Sequence, residues 1–235
     1  MISEHQFANS YPSVWNHVAP LSDGYWKIEN MMVRRDAPPI ISITATSMRG
    51  VINESAFRAF CRLRDSGGAA DADAVLSAVD FSVAEAIEYI ARLAPRSRIN
   101  IGEFDRDCKN EAIAITQRLL KFFPGHMRTT LRPTFVGCGL ISACEGDVIE
   151  GECLYEVKAG DRPFRITDLR QLLVYAALAY SSGSLSFKRI GLYNPRTGAV
   201  WIRTLDQVCQ SIAGTRAIDT LSALVNQFSA VSTSR

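Results

Sequence analysis

Residues 145–160 read EGDVIEGECLYEVKAG, and this stretch predicts two short β-strands that form a hairpin. Side chains alternate between the two faces of a strand, so Glu156 and Lys158 share one face of the second strand while Val157 lies on the other. We expect the apolar face to pack against the core, which leaves the carboxylate and the ammonium side by side on the opposite face. Asp147 lies on the preceding strand and can reach the same place.

These three polar residues predict a particular chemistry. Two carboxylates suit a hard divalent cation such as Mg²⁺, and a nearby lysine can hold a phosphate or orient an attacking water. The pattern therefore predicts metal-dependent hydrolysis of a phosphodiester. A Glu-x-Lys alone also fits an exposed strand face with a weak ion pair, so the segments that follow decide between the two interpretations.

A helix and a second pair of strands follow the hairpin. Residues 168–178 read DLRQLLVYAAL, an amphipathic helix on which Gln171 and Tyr175 are neighbours one turn apart. Strands are predicted over 187–193 and 199–204, because the intervening NPRTG is rich in turn-forming residues. The resulting order is strand, strand, helix, strand, strand.

This order and its polar residues resemble the PD-(D/E)XK nuclease superfamily, and within it the RecB-like branch. The resemblance covers about residues 130–205 and is carried by Gly146-Asp147, Glu156-x-Lys158 and Gln171-x-x-x-Tyr175. Glu156 stands where the RecB-like branch more often has Asp, a replacement that is common in the wider superfamily. The resemblance implies an α/β fold with a restriction-endonuclease-like core, in which helices flank a mixed central sheet.

The resemblance also implies roles for individual residues. Mg²⁺ or Mn²⁺ would bind to Asp147, Glu156 and the backbone carbonyl of Val157. Lys158 would be the catalytic lysine, and Gln171 would position that lysine, the water or the DNA backbone. In the resembled family a helix ahead of the first core strand often carries a supporting carboxylate, and Glu111 in the predicted helix 107–123 is the candidate for a further metal ligand.

The distribution of charge adds a weaker signal. The net charge of +2 is too small to indicate a nucleic-acid partner by itself. Basic residues exceed acidic ones between Lys158 and Arg203, which suits a polyanionic substrate but also fits an ordinary solvated surface. Candidate substrate-binding residues in this region are Arg162, Arg165, Arg170 and Tyr175.

The rest of the chain predicts helices around this core. We expect residues 1–100 to form a helical N-terminal extension or subdomain and residues 101–235 to form the nuclease core. Core strands are expected over 132–140, 144–149 and 153–159. Helices are expected over 53–64, 72–79, 82–93, 107–123, 206–213 and 216–231, with a linker at 65–70.

The composition of the chain argues against several classes of function. None of the six cysteines forms a Cys-x-x-Cys pair, which argues against zinc, and three histidines in no recognisable arrangement argue against histidine-based chemistry. The chain lacks the Gly-rich phosphate loop of a motor protein. No apolar run approaches the ~20 residues that cross a bilayer, and no secretory signal is evident, so we expect a cytoplasmic protein without a membrane partner.

The function expected from these observations is cleavage of DNA, with RNA left open. By analogy, a small nuclease without a motor fits the effector of a bacterial defence or restriction system, with a partner protein that supplies target recognition. A homodimer is also open. The alternative is a catalytically inactive module that keeps the nuclease fold for nucleic-acid binding or complex assembly.

Overall fold

A mixed β-sheet with helices on both faces forms the centre of the structure. The structure is a computed structural model that describes residues 1–67, 70–93, 101–125 and 128–230. The sheet has the strand order β1-β8-β7-β6-β5-β2. Its strands are β1 (Arg34–Arg35), β2 (Thr129–Leu131), β5 (Val148–Glu150), β6 (Cys153–Val157), β7 (Arg189–Asn194) and β8 (Ala199–Thr204). A small second sheet pairs β3 (Thr134–Phe135) with β4 (Cys144–Glu145). The predicted α/β class with a mixed central sheet is confirmed.

Two of the central strands are parallel and the other pairs are antiparallel. β5 and β6 form the predicted hairpin, with Val148 opposite Tyr155. β6 then runs parallel to β7, and helix α7 (Ile166–Ser181) connects them. A parallel pair requires such a crossover, because a tight turn can join only antiparallel neighbours.

The remaining helices pack in two layers. One layer contains α1 (Glu4–Ser10), α2 (Pro12–Val18), α3 (Ser22–Met31), α7, α8 (Leu205–Ala213) and α9 (Ala217–Ala230). The other layer contains α4 (Arg49–Asp65), α5 (Ala72–Leu93) and α6 (Arg106–Phe122). Short 3₁₀ turns lie at Thr46–Met48 and Ile101–Glu103.

The two layers give the sheet two hydrophobic cores. Leu154 points into the core beneath α7, whereas Tyr155, the next residue along β6, points into the core beneath α4 and α6. Both faces of β6 are therefore covered. This corrects the expectation that Glu156 lies on a solvent face, because Glu156 is only 5% exposed.

Residues 1–67 and 70–93 contribute to the same sheet and the same two cores. β1 pairs with β8 at the sheet edge, with Arg34 opposite Val200. Phe7 and Trp15 pack in the core beneath α7, while α4 and α5 cover the other face. The segment predicted as an extension thus supplies helices to both sides of the sheet.

The strand expected over 132–140 is the clearest difference from the sequence prediction. β2 ends at Leu131 and a separate strand begins at Thr134. Arg132 adopts a left-handed backbone with φ of 49°, and Pro133 has no amide hydrogen to donate, so the chain turns between the two strands. The second expected strand, 144–149, is divided in the same way between β4 and β5.

Smaller differences concern helix boundaries. The helices expected over 72–79 and 82–93 form the single helix α5, since no glycine or proline interrupts them. The helix expected over 53–64 begins at Arg49 and ends at Asp65. Residues 68 and 69 of the expected linker and residue 231 of the last expected helix lie outside the described residues.

Candidate functional site

Asp147 and Glu156 meet where the hairpin opens. Val148 lies opposite Tyr155, so the next residues in register are Asp147 and Glu156. The backbone amide of Val157 donates a hydrogen bond of 2.6 Å to Oδ2 of Asp147. The backbone of Asp147 is held as well, because its carbonyl accepts from the amide of Arg132 at 2.9 Å. The hairpin geometry therefore brings the two predicted carboxylates together.

Lys158 lies between the carboxylates and helix α7. Its Nζ donates to Oε1 of Glu156 at 2.8 Å and to Oε1 of Gln171 at 2.9 Å. The second oxygen of Glu156, Oε2, is buried and has no hydrogen-bond partner among the residues that the structure describes. A buried carboxylate oxygen without a donor is costly, so this oxygen marks a position where a cation would find a ligand.

The charges in this group perturb one another. Burial and the neighbouring Glu156 raise the pKa of Asp147 well above its usual range, although Lys158 opposes the shift. Burial alone would lower the pKa of Lys158, but the two carboxylates outweigh it and the net pKa is raised. Lys158 is therefore a persistent cation, and negative charge at Asp147 needs a further positive partner.

Gln171 is fixed by three contacts. Its carbonyl oxygen accepts from Lys158, and its amide nitrogen donates to the hydroxyl of Tyr175 at 2.8 Å and to Oε1 of Glu4 at 3.2 Å. The amide must present its oxygen to the ammonium, and the two acceptors on the nitrogen side hold it in that orientation. The contact between Gln171 and Lys158 is one of those that the family resemblance implied, and it is present at 2.9 Å.

Glu4 was not found from the sequence. It lies in α1, outside the residues that carry the family resemblance, and it is 167 positions away from Gln171. A single acid at the first position of a helix is common for reasons of helix stability alone, so no signal in the sequence distinguishes it.

Tyr175 lies behind Gln171 rather than on a substrate surface. Its side chain is buried and stacks on Phe135, with 5.0 Å between the ring centroids. Burial, followed by the charges of Glu156 and Asp147, raises the pKa of the hydroxyl. The expectation that Tyr175 binds substrate is corrected, because the ring supports Gln171 from the protein interior.

A cavity of about 300 Å³ opens over the site. Asp147 and Lys158 lie in one wall together with Val157, and Arg162 lies at the rim. The opposite wall is one face of α4, formed by Gly50, Asn53, Glu54 and Phe57. Glu156 is not in the wall but lies behind it. A ligand in the cavity would therefore meet the ammonium and the aspartate first.

Glu54 is a carboxylate of the cavity that sequence reasoning missed. It faces the cavity from α4, and its charge contributes to the raised pKa of Asp147. Nε of Arg58 contacts Glu54 at 2.7 Å. A Glu and an Arg four positions apart are typical of an ion pair on a helix surface. The sequence therefore did not indicate that Glu54 belongs to the site.

Glu111, the predicted further metal ligand, belongs to a different cluster. Its Oε1 accepts from Arg49 at 2.8 Å and from the buried Arg196, and its Oε2 accepts from Ser42 and from Thr44. Burial alone would raise its pKa, but these hydrogen bonds and the charge of Arg196 lower it. Both oxygens are occupied, so the structure does not bring Glu111 to the carboxylate pair.

The three arginines predicted to bind substrate differ in position. Arg162 lines the cavity, although its guanidinium also forms two hydrogen bonds of 2.8 and 2.9 Å with Asp168. Arg165 is exposed at the start of α7. Arg170 lies over the ring of Trp15 and contacts Asp23, so the N-terminal helices engage it instead.

The oxygen atoms of this site are the kind of ligand that a hard divalent cation prefers. Within the described residues, no group of three or more His, Cys, Asp or Glu is arranged to hold a metal. The resemblance implies that the backbone carbonyl of Val157 would act with Asp147 and Glu156. Mg²⁺ commonly binds through one or two carboxylates and completes its shell with water and substrate phosphate. The unpartnered Oε2 of Glu156 is the observation that supports the fit.

No protein-family model and no curated protein matches the chain. Within the part of the chain that the structure describes, none of the helices combines the length and the apolar character needed to span a membrane.

Proposed function

We propose that this chain is a metal-dependent nuclease that hydrolyses phosphodiester bonds of DNA, with a site of the PD-(D/E)XK type. The observation that carries the proposal is the buried, unpartnered Oε2 of Glu156 beside Asp147, with Lys158 held by Glu156 and Gln171. An ordinary strand-face ion pair would be solvated, whereas this pair joins a buried glutamate to a lysine in the wall of a cavity.

Asp147 and Glu156, with the Val157 carbonyl, would hold Mg²⁺ or Mn²⁺. When bound, the cation would lower the pKa of a water and neutralise charge on the phosphate. The amide of Val157 orients Asp147 for this task, because it occupies Oδ2 and so limits rotation of the carboxylate. Because the pKa of Asp147 is raised, a proton competes with the cation for this carboxylate, and affinity for the cation increases as pH rises through that pKa.

Lys158 would orient the attacking water and contact the phosphate. The two carboxylates keep its ammonium charged, and it lies in the cavity wall where a phosphate would enter. The hydrogen bond from Lys158 to Gln171 restricts the position of the ammonium. Glu4 and Tyr175 restrict the orientation of the Gln171 amide in turn. This chain of contacts preorganises the cation toward the place where negative charge develops.

Glu54, rather than Glu111, is the helix carboxylate that faces the cavity. It lies across from Asp147 and is a candidate for holding cation-bound water. Arg162 at the rim is the candidate for an adjacent phosphate. DNA is preferred to RNA on the resemblance to the RecB-like branch alone.

The direct experiment incubates purified protein with linear, circular and single-stranded DNA and with RNA, with and without Mn²⁺. We expect Mn²⁺-dependent cleavage of DNA that Lys158→Ala and Glu156→Gln abolish. Lys188→Ala is the matched control, because Lys188 also pairs with a glutamate but is exposed on the surface. Cleavage by Lys158→Ala at the wild-type rate would refute the assignment. Nucleic-acid binding without cleavage by the wild type would support the inactive module instead.

A further inference from the structure

Arg132 has a backbone conformation that stands out near the site. Within the described ranges it is the one residue other than glycine with a positive φ, at 49°. Left-handed backbone is unfavourable for a side chain with a Cβ, and such strain persists where the surroundings fix it. Here the amide of Arg132 donates to the carbonyl of Asp147, so the strained residue is joined directly to a proposed metal ligand.

The side chain of Arg132 leads into a second cavity. This cavity of about 250 Å³ is lined by Arg58, Arg62, Leu131 and Arg132, with Cys61, Asp65 and Glu85. The guanidinium carbon lies 5.8 Å from the ring centroid of Phe57, which itself lines the first cavity. Phe57 in the lining of the first cavity is thus a direct neighbour of Arg132 in the lining of the second cavity.

The guanidinium of Arg132 has no carboxylate partner among the described residues, unlike the other cations around these cavities. Arg58 and Arg62 both pair with Glu85, and Arg162 pairs with Asp168. Arg132 rests on Phe57 and lines the second cavity together with Cys61, and burial raises the pKa of that thiol to about 12. A half-buried guanidinium with most of its donors unused can bind an anion at little cost in lost contacts.

We propose that Arg132 binds a backbone phosphate of the nucleic-acid strand, next to the phosphate that enters the first cavity. The inference rests on the proposed function for the identity of the strand. The strained turn at Arg132 aims the guanidinium at the second cavity, and Phe57 offers a flat apolar face to the nucleotide that joins the two phosphates. Glu85 does not oppose the anion strongly, because Arg58 and Arg62 already neutralise it.

A purely structural role for Arg132 and a phosphate-binding role predict different results for one substitution. Arg132→Gly removes the guanidinium but retains the backbone amide that bonds to Asp147, and glycine adopts a φ of 49° without strain. The variant should melt at or above the wild-type temperature. A loss of nucleic-acid binding in that variant would therefore not come from unfolding.

The test is fluorescence anisotropy of a labelled single-stranded oligo-dT of about 15 nucleotides, measured with Ca²⁺ in place of Mn²⁺ and at several salt concentrations. Loss of one charge-assisted contact weakens binding about tenfold, and it lowers the slope of log Kd against log salt by about 0.7. We expect both changes in Arg132→Gly. Arg132→Lys should retain the slope, and the exposed Arg216→Gln should bind as the wild type does.

The outcomes separate this inference from the proposed function. A wild type that cleaves DNA, together with an Arg132→Gly variant of unchanged affinity and slope, would overturn the role of Arg132 alone. A wild type that binds but never cleaves, with the expected loss in Arg132→Gly, would leave the phosphate contact standing and remove the nuclease. A wild type that does not bind nucleic acid would overturn both.

Discussion

Replacement of Glu111 tests whether its cluster is structural. The side chain is buried, and both oxygens are occupied by Arg49, Arg196, Ser42 and Thr44. Arg196 is buried as well, at 1% exposure, and its other donors reach the carbonyl of Ala159 and the amide oxygen of Asn53. Glu111→Ala would leave this guanidinium inside the protein with the largely exposed Asp161, 3.7 Å from its Nε, as its remaining carboxylate partner.

The expected loss of stability follows from this arrangement. Removing one partner of a buried ion pair costs about 3–5 kcal/mol, because the remaining charge stays desolvated. The side chain of Arg49 is 18% exposed and can turn toward water, and the two hydroxyls can find other partners, so they add little. We expect about 4 kcal/mol for Glu111→Ala and a smaller loss of about 2 kcal/mol for Glu111→Gln, which keeps an acceptor of the same shape.

Urea denaturation at neutral pH measures this loss as a lower midpoint at constant slope. For a chain of this length, 4 kcal/mol also corresponds to a drop in Tm of roughly 8–16 °C. Glu88→Gln is the control, because Glu88 is exposed on α5 and should change the free energy of unfolding by less than about 0.5 kcal/mol. If Glu111→Ala unfolds at the wild-type urea concentration but no longer binds Mn²⁺, the structural reading of this residue is wrong.

Three further predictions concern the site itself. Mn²⁺ at about one hundred times its Kd should stabilise the wild type by about 2.7 kcal/mol, a rise in Tm of roughly 5–11 °C, and calorimetry should show no such rise for Asp147→Asn. Gln171→Ala should lower the single-turnover cleavage rate by about tenfold to a hundredfold while Tm changes little, and an unchanged rate would argue against its role in orienting Lys158. Burial alone would raise the pKa of Asp168, but the hydrogen bonds from Arg162 and the amide of Arg165 lower it. Its stabilising contribution is therefore complete above the unfolded-state pKa of about 4 and is lost as pH falls through the lower folded-state value, so Asp168→Asn should show a flatter decline of stability in acid than the wild type.

The local parts of the site could be predicted because they depend on the geometry of one element. Alternation along a strand places Glu156 and Lys158 on one face, and the helical repeat places Gln171 and Tyr175 one turn apart. The hairpin register brings Asp147 opposite Glu156 within a short stretch of chain. These relations do not depend on what packs against the elements. They could therefore be predicted from the sequence of residues 145–178.

Burial could not be predicted from the same pattern. The alternation along β6 is correct, yet it does not say whether one or both faces are covered. Helix α7 covers the face with Leu154, and α4 and α6 cover the face with Tyr155. Glu156 is therefore an interior charge instead of a surface one, and Tyr175 became a support for Gln171 instead of a substrate contact.

The sequence by itself determined the hairpin, the helix that follows it and the identity of the central polar residues, because backbone periodicity acts over a few residues. Only the tertiary structure decided which distant groups complete the site. Gln171 and Glu4 are 167 positions apart, and Arg196 and Glu111 are 85 apart. Contacts at such separations arise from packing of whole elements, and a single polar residue in one of those elements has no local pattern that identifies its partner.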